Sequence, residues 1–443
     1  MTSFPSARCT VIPPVAAVLL LLAAIPSWSQ TGDTAPQLTL EEAVQISLRQ
    51  NHDVLRARES LSRLDGQIEV VKSDVLPQVN LEADYFRSYD ESILDSDLGD
   101  FFSPEQQDIY GIRGTLNQLL FSWGKASTAI QISQDNRQRA GDDLASTIRR
   151  VKLQVYEAFY ALLLDQRLVE VAEQRLAQRR RQLDVAEKKF TAGVVNEFEV
   201  VRARVDVANA EPPVIRARNQ VRQDISALNN LMSRDQRTPL DAVGELAYEP
   251  LDDPTLEQVV ERAVAQRPEL KSLRTSRTIA EKVLKIARAG NKPELRLVGE
   301  YGWAADTPGE LDTDREKWLA GVAFTMPLFD GWRTRGRVAE ASSDLRDIGI
   351  ATSQLEETII LQTKVVLDDL REAQDIINAT SLTIEQAEKA LALAETSYRY
   401  GVATALDVTD AELSLTVSRV DHARALHDFM VARARTLSVM DEL

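Results

Sequence analysis

The sequence predicts a mainly α-helical chain with a membrane β-barrel portion, built from two copies of one structural unit. The first observation is self-similarity at a fixed offset: Leu40 corresponds to Leu256, and Tyr85 to Tyr301, 216 residues later. The second is a pair of bilayer-length stretches of alternating hydrophobicity in each copy, and the third is a proline-free helical pattern of some 65 residues. Self-similarity of this kind indicates duplicated structural units. We place the first repeat at residues 30–240 and the second at residues 241–443, each with the order helix, two strands, long helix and return helix.

Residues 1–29 have the pattern of a secretory signal peptide. Arg8 provides a positive start, residues 15–25 form an almost unbroken apolar run, and Ser27 and Ser29 suit the −3 and −1 positions of a cleavage site. The only cysteine, Cys9, lies inside this signal, so no disulfide or thiol chemistry is expected in the mature chain. The sequence therefore predicts an exported protein.

Period-two alternation predicts four strands, two in each repeat. Strands of nine to eleven residues can cross a bilayer when tilted, with one face in lipid and the other in a wet lumen. The predicted strands span residues 77–86, 110–120, 294–301 and 318–326. Aromatic residues suited to an interfacial girdle lie near the strand ends, namely Tyr85, Tyr110, Tyr301 and Trp318. The acidic linkers inside the pairs, residues 87–108 and 302–316, are predicted to be exposed loops.

A heptad pattern predicts one very long helix in each repeat. Apolar residues recur every seven positions from Val155 to Phe190 and from Leu370 to Tyr398, which is typical of coiled-coil packing. At 1.5 Å per residue, each helix would be roughly 100 Å long. Return helices are predicted at about residues 197–234 and 405–439.

The turns between these helices carry their own signals. Gly193 and Gly401 suit the left-handed position that ends a helix. Two pairs have capping-box spacing at the start of the return helices, namely Asn196 with Glu199 and Thr404 with Asp407. The pair Pro212-Pro213 is expected to interrupt or kink the first return helix.

Four strands cannot enclose a wet lumen, and a sheet with open edges cannot satisfy its backbone in lipid. No segment after residue 30 has 18 consecutive apolar residues, so any membrane role must use strands. Three copies would supply twelve strands and twelve helical rods. The predicted fold is therefore a trimeric 12-stranded β-barrel continued by a long α-helical coiled-coil barrel, with four strands per chain.

The chain resembles the outer membrane efflux protein family of TolC-like channels over about residues 38–440. The motifs that carry the resemblance are LTLEEAV at 38–44, PLFDGW at 327–332, and the YRYGV tip at 398–402 followed by LDVTDA at 406–411. The resemblance implies a homotrimer that spans the outer membrane and extends into the periplasm. It also implies an exit duct of a tripartite efflux pump or type I secretion system, with a periplasmic adaptor (membrane fusion) protein and an inner-membrane transporter as partners and outer-membrane lipid around it.

The same resemblance implies a periplasmic gate. Asp407 and Asp410 match the family's gate aspartates, and their i,i+3 spacing puts them on one helix face, so a trimer would carry rings of carboxylates that favour cations. Tyr398 matches a tyrosine that links neighbouring helices, and Glu199 lies where the first copy carries an acidic partner. Ala403 departs from the pattern, because some channels have an arginine there. The tip turns Gly193-Val194 and Gly401-Val402 are expected to contact the adaptor.

The candidate gate residues also have simpler, purely structural interpretations. Asp407 could serve only as a helix cap, Asp410 as part of a solvated surface, and Tyr398 as a core residue of the heptad stripe. The main alternative for the whole chain is a periplasmic coiled-coil scaffold or adaptor protein. That alternative accounts for the heptads and the signal, but not for four bilayer-length strands.

Neither an enzyme nor a cofactor protein is expected. The three histidines, His52, His422 and His427, lack metal-ligand spacing, and the sequence has no phosphate-binding glycine loop. The chain carries a formal net charge of −16, which argues against nucleic acid as a partner.

Overall fold

The structure is a computed structural model that describes residues 36–89, 106–249, 255–305 and 316–443. The predicted signal peptide lies outside these residues, as does most of each acidic linker. The first repeat contains β1 (Gln37–Leu38), α1 (Leu40–Gln50), α2 (His52–Ser73), β2 (Gln78–Tyr89), β3 (Gln106–Phe121), α3 (Lys125–Thr191) and α4 (Glu197–Leu231). The second contains β4 (Asp241–Ala242), α5 (Leu256–Gln266), α6 (Pro268–Arg288), β5 (Glu294–Ala305), β6 (Glu316–Thr325), α7 (Arg333–Arg399) and α8 (Ala405–Val439).

Each repeat has two helices before its long strands, so the prediction of a single helix there is wrong. The first break lies at Asn51, whose side-chain Oδ1 accepts hydrogen bonds from the backbone N–H groups of Asp53 (2.9 Å) and Val54 (3.4 Å). Asparagine at such a position favours a new helix start over a helix interior. The second break lies at Arg267, which precedes Pro268, and proline disfavours helical backbone in the residue before it.

The four long strands form one antiparallel sheet in the order β2-β3-β5-β6, whereas β1 pairs with β4 in a separate parallel pair. The strands extend further than predicted, so residues 87–89, 106–108, 302–305 and 316 belong to strands and not to the linkers. The register places Arg87 opposite Asp108. The backbone pairing of β2 with β3 continues through these residues and ends only at Tyr89 opposite Gln106.

The sheet has one apolar and one charged face. Leu297 lies opposite Val322, and this face is lined by Val79, Leu81, Leu297, Trp318, Val322 and Phe324. The other face carries Glu82, Asp84, Arg113, Arg296 and Glu300. Arg113 forms ion pairs there with Glu82 (2.8 Å) and Asp84 (3.2 Å). Val322 and Phe324 are 60% and 64% exposed, so the single chain leaves its apolar sheet face uncovered.

The long helices α3 and α7 have 67 residues each, which confirms the predicted length of about 100 Å. Their packing is densest near the middle, where Phe159 and Phe429 are almost fully buried between α3 and α8. Burial along the heptad stripe fades toward the tips, from 0% exposure at Leu162 to 46% at Phe190. No helix among the described residues has the apolar stretch needed to cross a bilayer.

Helix α4 continues through Pro212 and Pro213, so they do not interrupt it, and a kink at this point stays a prediction. Each proline removes one backbone N–H and therefore one i→i−4 hydrogen bond. The carbonyls that lose these bonds belong to Ala208 and Asn209, which are exposed, so water can replace the missing donors. Packing of α4 along α3 maintains the helical path.

Candidate functional site

The candidate site is the pair of turns at the ends of the long helices. Gly193 and Gly401 adopt left-handed conformations, with φ of 72° and 77°. Val194 donates its N–H to the carbonyl of Lys189 (2.9 Å), and Val402 donates to that of Ser397 (2.8 Å). These bonds complete Schellman motifs, which satisfy the last carbonyls of each helix. Both glycines thus end their helices as predicted.

Asp407 caps α8. Its Oδ2 accepts hydrogen bonds from the backbone N–H and the hydroxyl of Thr404, both at 2.7 Å, and its own N–H donates to Thr404 Oγ1 at 3.3 Å. The predicted capping box is confirmed. The hydroxyl and backbone hydrogen bonds from Thr404 lower the pKa of Asp407, so its carboxylate stays charged at neutral pH.

The corresponding turn of the first repeat has only one half of the capping box. Asn196 Oδ1 accepts from the N–H of Glu199 at 3.3 Å, but among the described residues the Glu199 carboxylate makes no bond back. Glu199 is half-buried on α4. The Glu199 carboxylate therefore does not cap α4.

Asp410 lies one turn beyond Asp407 on α8 and is exposed. Within the part of the chain that the structure describes, its side chain has no hydrogen bond or ion pair. Residues three apart in a helix are neighbours on its surface, so the two carboxylates lie on one face. One carboxylate caps the helix, and the other points to solvent unpaired.

Tyr398 connects the two long helices at their tips. Its hydroxyl accepts a hydrogen bond from Lys189 Nζ at 3.3 Å, and the same ammonium lies 5.3 Å from the ring centroid. Such a cation–π contact is worth about 0.5–1 kcal/mol at exposed sites. Tyr398 was predicted from the sequence, whereas Lys189, which lies at the matching end of α3, was not. Tyr398 is 41% exposed, so it is not a buried core residue.

A buried polar cluster joins α3 to α8 above the tips. Glu412 accepts from Gln182 Nε2 at 2.8 and 3.0 Å and also from Gln178, while Arg179 Nη1 lies 3.5 Å from its Oε2. Arg179 donates to Gln182 Oε1 at 2.8 Å. The Arg179 and Glu412 side chains are only 9% and 7% exposed.

This cluster was not predicted from the sequence. A comparison of the repeats at an offset of 208 residues contains a signal for it, because the second repeat has Ala387 where the first has Arg179. A charged residue at a position that is a buried alanine in the other copy requires a partner in the interior. That partner, Glu412, is in the other repeat, and its own counterpart is Arg204.

Apolar side chains project from the tips into solvent. Val194 and Val402 are 70% and 83% exposed, and they are accompanied by Phe198, Tyr400 and Leu406. A contiguous exposed apolar patch on a soluble surface marks an interaction site. The tips therefore combine charged residues that face solvent with an apolar surface that one chain leaves uncovered.

Comparison with known proteins gives one consistent result. The family model for outer membrane efflux proteins matches residues 43–234 and 259–437. The chain is 25% identical over 390 residues to the outer membrane protein TolC of Vibrio cholerae, covering 83% of each chain. It is 23% identical over 384 residues to the alkaline protease secretion protein AprF of Pseudomonas aeruginosa, covering 84% of this chain and 78% of AprF.

A solved structure has the same fold. The CmeC outer membrane channel of Campylobacter jejuni superposes with a TM-score of 0.81 at 16% identity, covering 91% of this chain and 85% of CmeC. At that identity the likeness concerns the fold alone.

Proposed function

This chain belongs to the outer membrane efflux protein family and is an outer-membrane exit duct, and we propose that it works as a homotrimer whose helical tips form the gate. The observation that carries the proposal is the sheet, which has one apolar face, one charged face and two edges that are unpaired among the described residues. An apolar face suits lipid and a charged face suits a wet lumen. The long helices then continue the wall of the duct into the periplasm.

The unpaired edges support assembly of several chains. Strands β2 and β6 end the order β2-β3-β5-β6, so each has one side without a partner among the described residues. Lipid cannot satisfy exposed backbone groups, so a membrane sheet must close. Pairing of β6 with β2 of the next copy closes the sheet, and three copies give twelve strands.

An exposed seam on α4 supports a matching assembly of the helices. Phe198, Val201, Val205 and Ile215 recur at coiled-coil spacing and are 66%, 48%, 52% and 67% exposed. Helix α4 packs against α3, and its buried residues Val200, Ala210 and Val214 lie on the side opposite the seam. The seam therefore fits a helix of a neighbouring protomer.

For the gate, we propose that Asp407 and Asp410 form two rings of carboxylates where the helical barrel narrows. Tyr398 with Lys189, together with Glu199, lies at the same level and restrains the hairpins in the closed form. The turns Gly193-Val194 and Gly401-Val402 present the exposed apolar surface to the periplasmic adaptor. The adaptor and an inner-membrane transporter complete a pump or a type I secretion system, the second use being supported by the similarity to AprF.

The assembly is tested by fractionation. We expect the mature protein to sediment with the outer membrane and to migrate as a trimer that becomes a monomer only on heating. Recovery as a monomer in the soluble periplasmic fraction would instead favour the scaffold or adaptor alternative and contradict the duct.

The gate is tested by ion selectivity in planar bilayers. We expect Asp410→Asn to reduce the cation preference, measured as the reversal potential in a salt gradient, on the order of threefold. The reason is that a ring of charges acts over about one Debye length, ~10 Å at 0.1 M salt, and removing it costs each cation roughly RT. Asp407→Asn should act similarly, with some loss of helix capping.

Asp421→Asn is the matched control. Asp421 is exposed on α8, eleven residues from Asp410 and thus about 16 Å higher on nearly the same helix face. It should change selectivity much less, because the tunnel is wider there. Equal selectivity of the Asp410 variant and the unmodified protein would exclude the carboxylate ring.

A further inference from the structure

Two carboxyl groups face each other between the middle of α3 and the C-terminal third of α4. Asp165 of α3 and Asp224 of α4 are half-buried, and their two carboxyl groups are neighbours within hydrogen-bonding reach. Asp224 Oδ1 accepts from Gln220 Nε2 at 3.0 Å. Its Oδ2 is buried, and no N–H or hydroxyl donor among the described residues reaches it.

This geometry requires a proton. An ionised carboxylate has only acceptor atoms, so two ionised aspartates cannot hydrogen-bond to each other. The charged groups that act on Asp165 are Asp224 from α4 and the exposed Arg424 from α8. Gln220 is neutral and already donates to the other oxygen. The donor that satisfies Asp224 Oδ2 is therefore the acid form of Asp165.

We propose that Asp165 and Asp224 share one proton and act as a pH-sensitive switch in the α3–α4 hairpin. With the proton present, the pair forms a hydrogen bond that ties the two helices together. When the proton leaves to solvent, two negative charges face each other in a half-buried site and the helices separate locally. This switch does not depend on the duct assignment.

The switch operates near neutral pH. Burial, followed by the hydrogen bond to Asp224 and its negative charge, raises the pKa of Asp165 from an ordinary 3.8 to about 7. A carboxyl group with a raised pKa in the folded state binds more protons folded than unfolded between these two values. Its effect on stability is therefore favourable at low pH, declines as pH rises from about 4 to about 7, and is lost above that.

The second repeat provides an internal comparison. At an offset of 208 residues, Asp165 corresponds to Ala373 and Asp224 to Ala432. Both alanines are buried, at 5% and 4% exposure. The same helix crossing therefore packs without a titratable pair in α7–α8, and the switch is confined to one hairpin of the two.

Infrared spectroscopy of the purified full-length mature protein, with isotope-labelled aspartate, tests the shared proton. We expect one protonated aspartate band per chain at pH 5.5 that disappears with a midpoint near pH 7. In Asp165→Asn the band should be absent throughout, because the amide can donate to an ionised Asp224. Absence of the band from the unmodified protein at pH 5.5, or an unchanged band in Asp165→Asn, would overturn the proposal.

The consequence for packing is measured by amide hydrogen exchange. Between pH 6 and pH 8, exchange in α4 around Asp224 should rise several-fold beyond the change in intrinsic chemical rate. The double variant Asp165→Ala/Asp224→Ala, which copies the second repeat, should lack this excess while keeping the hairpin folded. An equal excess in the double variant would exclude the pair as the switch.

Discussion

Replacing Val322 with arginine is expected to abolish assembly of the protein in the outer membrane. Val322 lies on the apolar face of β6, 60% exposed and opposite Leu297 of β5. An arginine on the lipid face of a membrane strand costs about 2–4 kcal/mol near the bilayer midplane. Three protomers would carry the substitution, so the trimer loses about 6–12 kcal/mol. That loss is comparable to the whole stability of an ordinary domain.

The control is the same substitution on the opposite face. Val298 of β5 pairs with Gly321 of β6, so it lies at the depth of Val322 but shares its face with Arg296 and Glu300. Val298→Arg should assemble normally, since its guanidinium reaches the wet side. The measurement is the amount of heat-modifiable trimer in purified outer membranes. If both variants assemble equally, the faces of the sheet are not lipid and lumen.

The parts of the fold that were predicted correctly are those governed by local patterns. Alternation identified four strands, because one face of each strand is apolar along its length. Heptad spacing identified both long helices, and the glycines at 193 and 401 identified their ends, because a left-handed residue at a helix end favours glycine. Each of these signals lies within a few residues of the feature it predicts.

The errors arise where residues far apart in the sequence determine the local structure. The break at Asn51 depends on the choice between capping and continuing a helix, and its side-chain Nδ2 also donates to the carbonyl of Leu231 at 2.9 Å, 180 positions away. The continuity of α4 through Pro212 depends on packing along α3. Periodicity identifies the buried face of a helix but not the residues that cover it, so Lys189 beside Tyr398 was not foreseen.

The buried Glu412 is the clearest example of a residue whose partners lie far away in the sequence. Its replacement by alanine is expected to have the second large effect on stability. Glu412→Ala leaves Arg179 buried, with its charge unpaired and its donors short of acceptors. Breaking a buried ion pair by removing one partner costs about 3–5 kcal/mol, since the remaining charge is not compensated. We expect local opening between α3 and α8, measured as faster hydrogen exchange of amides near residues 179 and 412. The increase should reach at least about a hundredfold, the factor that corresponds to ~3 kcal/mol.

Two further variants separate the ion pair from ordinary truncation. Glu388 forms an exposed ion pair with Arg419 at 3.0 Å, also between two helices, so Glu388→Ala should cost no more than about 1 kcal/mol. The double variant Arg179→Ala/Glu412→Ala leaves no unpaired charge of this pair in the buried site. It should therefore open less readily than Glu412→Ala alone. Independent residues would have additive effects, so a double variant that opens less readily shows that Arg179 and Glu412 act as an interacting pair. If the double variant opened more readily than either single variant, with strictly additive effects, Arg179 and Glu412 would not stabilise the contact of the hairpins as a pair.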